Sequence, residues 1–324
     1  MSIKIAAKLR PFSHTPGASC VIPKTHSILE AFPTLLRIDG KEWPLKLSGP
    51  VKGFTVQQDL EKDAVFVFGN AKEGYFRLRI VANDGGFDIV SERGFLKGGK
   101  IDAEIQYSEK TSLEIEKLSL GSHKAQDWDL MQRRLDLKEL LPILFSLGQK
   151  IPSVLPQELS GTALLLKFFE KRDAIEENLS AFFRAAFKSM LVPRLIDDQH
   201  QGLVAEGAGR GNPFFLLQEG MKRVRSLFFS QNERRIAFLP NLPVSLDAGR
   251  LIGIQAPGIG EIDFEWSKKT MRRCLIRANN SGEILFDLPK EIRRFRVGRK
   301  KWIQREEPLL IEEKKIFLLD RFER

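Results

Sequence analysis

Hydrophobic and polar residues alternate in short segments through roughly the first 120 residues of the chain. The clearest of these segments are residues 35–38, 64–68, 75–80 and 101–105. Turn-forming residues separate them, at Asp39-Gly40, Gly69-Asn70, Asn83-Asp84-Gly85-Gly86 and Gly98-Gly99. Strand-like segments that recur about every ten residues between such turns are typical of an antiparallel β-sandwich. We predict one for residues 1–125.

The hydrophobic spacing becomes helical near Trp128, where apolar side chains recur at intervals of three or four residues. Pro142 is expected to break or restart this helix, because proline has no backbone N–H to donate. Pairs with the spacing of a capping box occur at Asp136/Glu139 and Asp173/Glu176. We expect four to six helices between residues 126 and 231.

The most sharply defined helix begins at Asn212. Asparagine is a favoured N-cap, and Pro213 suits the first turn of a helix. Hydrophobic side chains then recur on one face, at Phe214, Leu217, Met221, Val224 and Phe228. A second such stripe comprises Ile175, Leu179, Phe182, Phe183, Ala186, Phe187 and Met190. We interpret both stripes as core packing rather than as part of a cofactor site.

Alternation returns after Ser230. It predicts strands at residues 236–239, 251–255, 262–266, 273–278, 283–288 and 316–319, and a hairpin that turns at Gly298. The predicted fold class is therefore α+β multidomain: an N-terminal antiparallel β-sandwich (1–125), a short helical middle region (126–231) and a C-terminal β-sandwich (232–324).

Length and composition restrict the class of protein and the cellular compartment that we expect. At 324 residues and 42% hydrophobic content the chain can build a substantial core. No stretch approaches the roughly 20 apolar residues that span a bilayer, and no continuous apolar segment precedes Arg10, so neither a membrane protein nor a secreted one is expected. Cys20 and Cys274 lie far apart and are expected to be reduced thiols. The expected compartment is the cytoplasm.

The net charge of +10 is concentrated in residues 290–305. Arg294 and Arg296 should share one face of a strand, and Phe295 and Val297 the other. A solvated hairpin face and a binding surface both explain this pattern. Nucleic acid is the less favoured partner, and its binding would weaken as salt rises.

The sequence lacks the common short motifs that indicate a particular catalytic mechanism. There is no Gly-x-Ser-x-Gly, no His-Glu-x-x-His and no complete phosphate-binding loop. The glycine-rich residues 207–211 could hold an anion before a helix, but an ordinary flexible connection is favoured. His14, His26, His123 and His200 show no ligand spacing. We expect neither a metal nor a cofactor.

Two groups of carboxylates are candidates for chemistry on sugars. Asp197, Asp198 and Glu206 lie in a polar segment with Gln199, His200 and Gln201, a composition suited to sugar hydroxyls. Asp127 and Asp129 flank Trp128, which could stack on a sugar ring. Glycoside hydrolysis commonly uses two carboxyl groups roughly 5 to 9.5 Å apart. Helix capping and loop solvation are the alternatives, and for Asp127 capping is favoured.

A string of motifs over residues 210–290 resembles one known family. Gly211-Asn212 opens a helix, and Phe238-Leu239-Pro240-Asn241-Leu242-Pro243 follows it. Next come Gly249-Arg250-Leu251-Ile252-Gly253 and a β-segment that ends at Trp266. This region is similar to the end of the catalytic barrel and the start of the C-terminal sandwich in glycoside hydrolases of the α-L-fucosidase type, which have an (α/α)₆ barrel. The resemblance implies that lineage and a carbohydrate ligand.

Two departures argue against the family's complete active site. Such enzymes carry an aspartate before the Gly-Asn pair, whereas Arg210 stands here, and an arginine stays protonated and cannot act as a general base. The barrel needs twelve helices, but at roughly 12 residues per helix plus loops the middle region holds half a barrel at most. Arg210 could instead hold an anionic group of a ligand.

The leading hypothesis is a reduced glycoside-hydrolase-like protein that binds a carbohydrate, with catalysis weakened or lost. Its predicted binding residues are Trp128, Gln199, His200, Arg210 and Asn212, and its candidate catalytic residues are Asp198 and Glu206. The first alternative is an active glycosidase that uses Asp198 or Glu206. The second is a basic interaction or scaffold protein that binds an acidic partner through residues 290–305.

Overall fold

A computed structural model of the chain describes residues 2–110, 114–170, 174–199, 209–299 and 301–323. Among these residues the chain has the predicted α+β organisation. N-terminal antiparallel sheets come first, a short helical middle follows, and the C-terminal region is rich in sheet.

Two antiparallel sheets form the N-terminal β-sandwich. The first five strands are β1 (Phe12–Ser13), β2 (Ala18–Val21), β3 (Ile28–Phe32), β4 (Leu35–Ile38) and β5 (Lys41–Pro44). The next five are β6 (Lys52–Asp59), β7 (Ala64–Ala71), β8 (Gly74–Asn83), β9 (Gly86–Arg93) and β10 (Gly99–Asp102). One sheet has the order β2-β3-β4-β5 and the other β1-β6-β7-β8-β9-β10. Alternate side chains of β8 enter the core between them, namely Phe76, Leu78 and Ile80.

The prediction of a turn at Gly69-Asn70 is wrong, because the chain does not reverse there. Both residues lie within β7, which pairs with β8 as far as Ala71, and the chain reverses one residue later. Gly69 is instead needed for packing, because a Cβ atom there would collide with the side chain of Val51. The irregular pairing of β6 with β7 between Lys52 and Thr55 brings this part of the chain close.

The helical middle comprises four α-helices and one 3₁₀ helix among the described residues, within the expected four to six. They are α1 (Trp128–Arg134), α2 (Leu137–Lys150), the 3₁₀ helix (Gly161–Glu170), α3 (Ile175–Ala186) and α4 (Phe215–Phe228). Three short strands accompany them: β11 (Lys117–Ser119) precedes α1, and β12 (Phe187–Lys188) and β13 (Val192–Pro193) lie between α3 and α4. Asp127 caps α1, as expected, by accepting the N–H of Leu130 over 3.2 Å.

Two expectations about helix ends need correction. Pro142 does not break α2, which continues through it; the proline costs one backbone hydrogen bond, and burial of nearly every apolar side chain of α2 outweighs that loss. Asn212 does not cap α4 directly. Its Oδ1 accepts the N–H of Phe214 over 3.0 Å, and a tighter turn precedes the helix, in which Phe215 N–H donates to the carbonyl of Asn212 over 3.1 Å.

The C-terminal region is a second pair of sheets. Its strands are β14 (Phe229–Asn232), β15 (Arg235–Phe238), β16 (Gly249–Ala256), β17 (Gly260–Ser267), β18 (Thr270–Ala278), β19 (Gly282–Asp287), β20 (Arg294–Val297), β21 (Lys301–Gln304), β22 (Leu309–Ile311) and β23 (Ile316–Glu323). The smaller sheet has the order β14-β15-β19-β22 and the larger β11-β16-β17-β18-β23-β20-β21.

Strand β11 joins the two β-regions. It precedes the helices in the chain, yet it forms the edge of the C-terminal sheet, with Leu118 opposite Leu251 of β16. Helix α2 packs on β11 and against α4, where Gly148 lets the two helices approach closely. The buried apolar residues of all three regions belong to one continuous core.

No helix formed by the residues that the structure describes is long and apolar enough to cross a membrane.

Candidate functional site

The segment that follows β13 is organised by a buried arginine. Arg194 donates through Nε to the carbonyl of Ala185 and through Nη2 to that of Arg184, at 2.9 and 3.0 Å, so it satisfies the C-terminal end of α3. Nη2 also donates to Asp197 Oδ1 over 2.8 Å, and Nη1 donates to Asp198. The side chain of Asp197 is 1% exposed and that of Asp198 is 66% exposed. Both carboxylates therefore balance the charge of Arg194.

The rest of the predicted sugar-binding segment is only partly described. Gln199 is exposed, and His200 and Glu206 lie outside the described residues. Arg210 is exposed, and its backbone exchanges hydrogen bonds with the hydroxyl of Ser160 at 2.9 and 2.8 Å. Asn212 is held by Gln157, which accepts its N–H over 2.8 Å. The structure thus brings Arg210 and Asn212 next to the segment that precedes the 3₁₀ helix.

Trp128 lies in the core rather than on a ligand-accessible surface. It is 4% exposed and belongs to the first turn of α1. The neighbouring carboxylates have local partners: Asp127 caps α1, and Asp129 Oδ2 accepts the hydroxyls of Ser13 and Thr15 at 3.1 and 3.0 Å. In this conformation no face of the indole is open for stacking on a sugar.

Two arginines of the basic hairpin of β20 and β21 are paired with acidic residues of the adjacent strand β23. Arg296 makes two hydrogen bonds to Asp320, at 2.8 and 2.9 Å, which raise the pKa of the guanidinium further. Arg294 pairs with Glu323 over 2.8 Å and covers the ring of Trp302. Arg294 and Arg296, which were expected to share one strand face, are therefore both engaged in internal ion pairs.

A groove of about 530 Å³ lies between the N-terminal end of α3 and the chain that follows β15. One wall carries Glu176 and Glu177 of α3; the other is formed by residues 239–244, with Lys269 at the rim. The groove continues along α3 past Ser180 to Arg184. Its size is within the range of about 300–1,000 Å³ typical of small-ligand sites.

The wall at residues 239–244 is fixed by the end of α4. Strand β15 ends where Leu239 adopts a left-handed backbone (φ 55°), and its N–H donates to the carbonyl of Phe228 over 2.8 Å. Asn241 N–H donates to the carbonyl of Leu227 over 3.3 Å. These bonds satisfy the last carbonyls of the helix. At the far end, Trp266 Nε1–H donates to the carbonyl of Leu246 over 3.0 Å.

The other residues of the motif string pack beneath this wall. Phe228 stacks on Trp266 with ring centroids 5.1 Å apart, and Phe264 lies 5.0 Å from Phe238. The ring of Trp266 also lies directly over Gly249, where a Cβ atom would collide with it. Glycine at 249 and tryptophan at 266 are therefore required together. They support the groove without lining it.

Polar groups of different kinds face the groove. Glu176 Oε1 accepts the N–H of Ser245 over 2.8 Å, so α3 is joined to the opposite wall. Glu177 and Lys269 are exposed, and Asn241 is half-buried. Sequence reasoning missed this site because its walls are more than 50 residues apart. The one signal was the capping-box spacing of Asp173/Glu176, and Asp173 lies outside the described residues.

The described residues contain no cluster of three or more metal-ligating side chains. Cys20 and Cys274 are free and buried. Burial raises the pKa of the Cys20 thiol to about 12 and raises that of Cys274 as well, with Asp263 contributing to the latter. Both side chains therefore pack as small apolar groups.

The C-terminal region matches a known protein family. Residues 230–313 match the sequence profile of glycoside hydrolase family 95, C-terminal domain. The matched stretch runs from β14 past β22 and includes residues 239–244 of the groove. No curated protein matches the chain. The chain therefore carries a C-terminal domain related to glycoside hydrolases.

Proposed function

We propose that this protein binds a carbohydrate in the groove between α3 and residues 239–244, and that it does so without catalysing hydrolysis. The observation that carries the proposal is the position of residues 239–244. They belong to the part of the chain that matches a glycoside hydrolase family, and they form one wall of a groove that has polar groups on both sides.

The groups in the groove suit sugar hydroxyls, which both donate and accept hydrogen bonds. Glu177 offers acceptors, Lys269 offers donors and the amide of Asn241 offers both. Pro240, Pro243 and Leu242 add an apolar surface against which the C–H face of a sugar can pack. A mostly apolar lining with a few convergent polar groups is characteristic of small-molecule sites.

Loss of catalysis is supported by the placement of the carboxylates. Among the described residues that line the groove, the only carboxylates are Glu176 and Glu177. Consecutive side chains on a helix point about 100° apart, so this pair does not face across a glycosidic bond as hydrolysis requires. Asp198 is engaged by Arg194. An active enzyme that uses Asp198 or Glu206 remains the alternative.

The proposal also includes a relationship between the helical middle region and one type of glycoside hydrolase. We infer that the middle helices derive from the (α/α)₆ barrel of α-L-fucosidase-type enzymes, of which at most half is retained. The start of the family match at residue 230 supports the proposed boundary between residues 231 and 232. The proposed boundary at residue 125 does not separate the sheets cleanly. Strand β11 lies before it in the chain but pairs in the C-terminal sheet.

The test is calorimetric titration of the full chain with a panel of neutral mono- and oligosaccharides that includes fucosides. Binding should weaken about tenfold in Glu177→Gln and in Asn241→Ala, since hydrogen bonds to charged groups contribute about 1.5–3 kcal/mol and others somewhat less. The matched controls Glu306→Gln and Asn280→Ala change exposed residues outside the groove and should bind normally.

Two results would overturn the proposal. One is the absence of binding across the panel at millimolar sugar. The other is turnover of aryl glycosides that is lost in Asp198→Asn or Glu206→Gln, which would establish the enzymatic alternative, because each change removes an ionisable group with little change in volume.

A further inference from the structure

A second groove, of about 400 Å³, lies at one end of the N-terminal sandwich and shares no lining residue with the groove at α3. It is bounded by the end of β5 and by the loop between β9 and β10. These belong to the edges of the two sheets, since β5 is the last strand of one and β10 the last strand of the other. Two aromatic side chains, Trp43 and Phe95, line it.

The position of Trp43 depends on the glycine beneath it. The ring lies so close to Gly99 at the start of β10 that a Cβ atom there would collide with it. Beside it, Lys41 Nζ donates to the carbonyl of Asp102 over 3.0 Å. These two contacts bridge the edges of β5 and β10, in the space where an added peptide strand would pair. A ligand in the groove would therefore contact the side chains that line it.

The charge of the groove has one sign. Among the described residues that line it, only Lys46 and Lys97 carry charge. Both are exposed, and neither forms an ion pair within the described part of the chain. Phe95 is 37% exposed, a large fraction for a phenylalanine beside a half-buried tryptophan. The groove thus combines accessible aromatic surface with two unpaired cations at its rim.

We propose that this groove binds an acidic oligosaccharide built from uronic acid units. The rings of Trp43 and Phe95 pack against the apolar faces of the sugars, because aromatic side chains provide large, rigid apolar surface. The ammonium groups of Lys46 and Lys97 donate charge-assisted hydrogen bonds to the carboxylates of the ligand. This site is independent of the groove at α3, so either proposal can fail alone.

The experiment titrates the full chain with α-1,4-linked trigalacturonate and with its fully methyl-esterified form, which keeps the rings and removes the charge. The acidic form should bind at least about tenfold more tightly. Its affinity should fall when salt is raised from about 0.1 M to about 1 M, since the Debye length shrinks from about 10 Å to about 3 Å.

Variants test each part of the groove. The double variant Lys46→Glu/Lys97→Glu should lose binding of trigalacturonate, whereas Lys188→Glu/Lys301→Glu should retain most of it, because it makes the same change of net charge at two exposed residues of β12 and β21, outside the N-terminal sheets. Trp43→Ala should also lose it. Should that variant fail to fold, Gly99→Ala serves instead, because the added methyl displaces the ring, with Gly85→Ala as its unhindered control.

Three results would overturn the proposal: no binding of trigalacturonate, equal binding of its methyl ester, or binding unchanged in the Lys46/Lys97 variant. Hexaglutamate that binds as tightly as trigalacturonate, with no dependence on Trp43, would also overturn it and identify an acidic peptide as the ligand. Glu177→Gln and Asn241→Ala should leave trigalacturonate binding intact, which separates this site from the groove at α3.

Discussion

Glu116 and Arg225 form a two-pronged ion pair, in which Arg225 Nε donates to Oε2 and Nη2 donates to Oε1, each over 2.8 Å. Glu116 directly precedes β11, and Arg225 lies in the last turn of α4. The side chain of Gln149 in α2 also binds the backbone of Glu116: it accepts the N–H of Glu116 over 2.9 Å and donates to its carbonyl over 3.0 Å. The pair thus fixes the strand that leads from the N-terminal region into the C-terminal sheet.

Removing one partner of this pair should destabilise the fold. Arg225→Met leaves the carboxylate of Glu116, a 9% exposed residue, without its main donor, and we expect a loss of about 2 kcal/mol in the free energy of unfolding, measured in urea. The control is Arg235→Met. Its partner Asp287 is exposed, so the loss should stay below about 1 kcal/mol. Equal losses in the two variants would contradict the role given to Glu116.

The crossing of α2 and α4 should tolerate no side chain at residue 148. Ala is favoured over Gly within a helix by about 1 kcal/mol, but at Gly148 the added methyl collides with the backbone carbonyl of Leu217. We therefore expect Gly148→Ala to lower the melting temperature by several degrees. Gly85→Ala, where the added methyl would meet nothing closer than Asn83 Oδ1 at 3.7 Å, should change it little. A melting temperature raised in Gly148→Ala would show that the helices can separate without loss.

Stability should fall in acid partly through Glu265. Hydrogen bonding to Arg273 over 2.7 Å, aided by the charges of Arg273 and Arg250, lowers the pKa of this carboxyl below its ordinary value of 4.5, against the effect of burial. A lowered pKa stabilises the folded state above pH 4.5, and this stabilisation is lost as the pH falls through the folded-state pKa.

We therefore expect Glu265→Gln to be less stable than the parent chain by about 1 kcal/mol at neutral pH, with a difference that shrinks toward zero in strong acid. Urea unfolding at a series of pH values measures this. A difference that is constant across the series would mean that Glu265 acts through packing alone. The exposed Glu306→Gln serves as the control and should match the parent chain throughout.

The two aspartates next to Arg194 should differ in their effect on stability. Asp197→Asn changes the carboxylate whose side chain is 1% exposed, so a loss of about 2–3 kcal/mol is expected. Asp198→Asn changes one that is 66% exposed and should cost at most about 1 kcal/mol. Thermal unfolding of the two variants checks the order. The reverse order would show that Asp198 has a role beyond balancing Arg194.

Local patterns determined much of this fold in advance. Alternation over residues 262–266 and 273–278 predicts strands that the structure confirms as β17 and β18. The turn at Gly298 joins β20 to β21 as expected, because glycine readily adopts its left-handed backbone (φ 62°). The amphipathic stripe after Asn212 is a buried face of α4. Each of these features depends on residues that are neighbours in sequence.

Features that join distant residues could not be read from the sequence. The helical continuity of α2 through Pro142 depends on burial against other elements, and the pairing of β11 with β16 brings together residues about 130 positions apart. The parallel pairing of β15 with β19 is another such feature. Sequence periodicity states which face of an element is apolar, but not which other element covers that face.

The sequence alone determined the order of the β, helical and β regions and the kinship of the C-terminal part, because alternation, turn residues and motif strings are local properties. Only the tertiary structure decided that Trp128 is buried, that Asp198 is paired with Arg194, and that residues 239–244 face Glu176 and Glu177 across a groove. The physical reason is that burial, ion pairing and concave surfaces arise where distant segments of the chain pack together. The order of residues along the chain does not specify which distant segments come into contact.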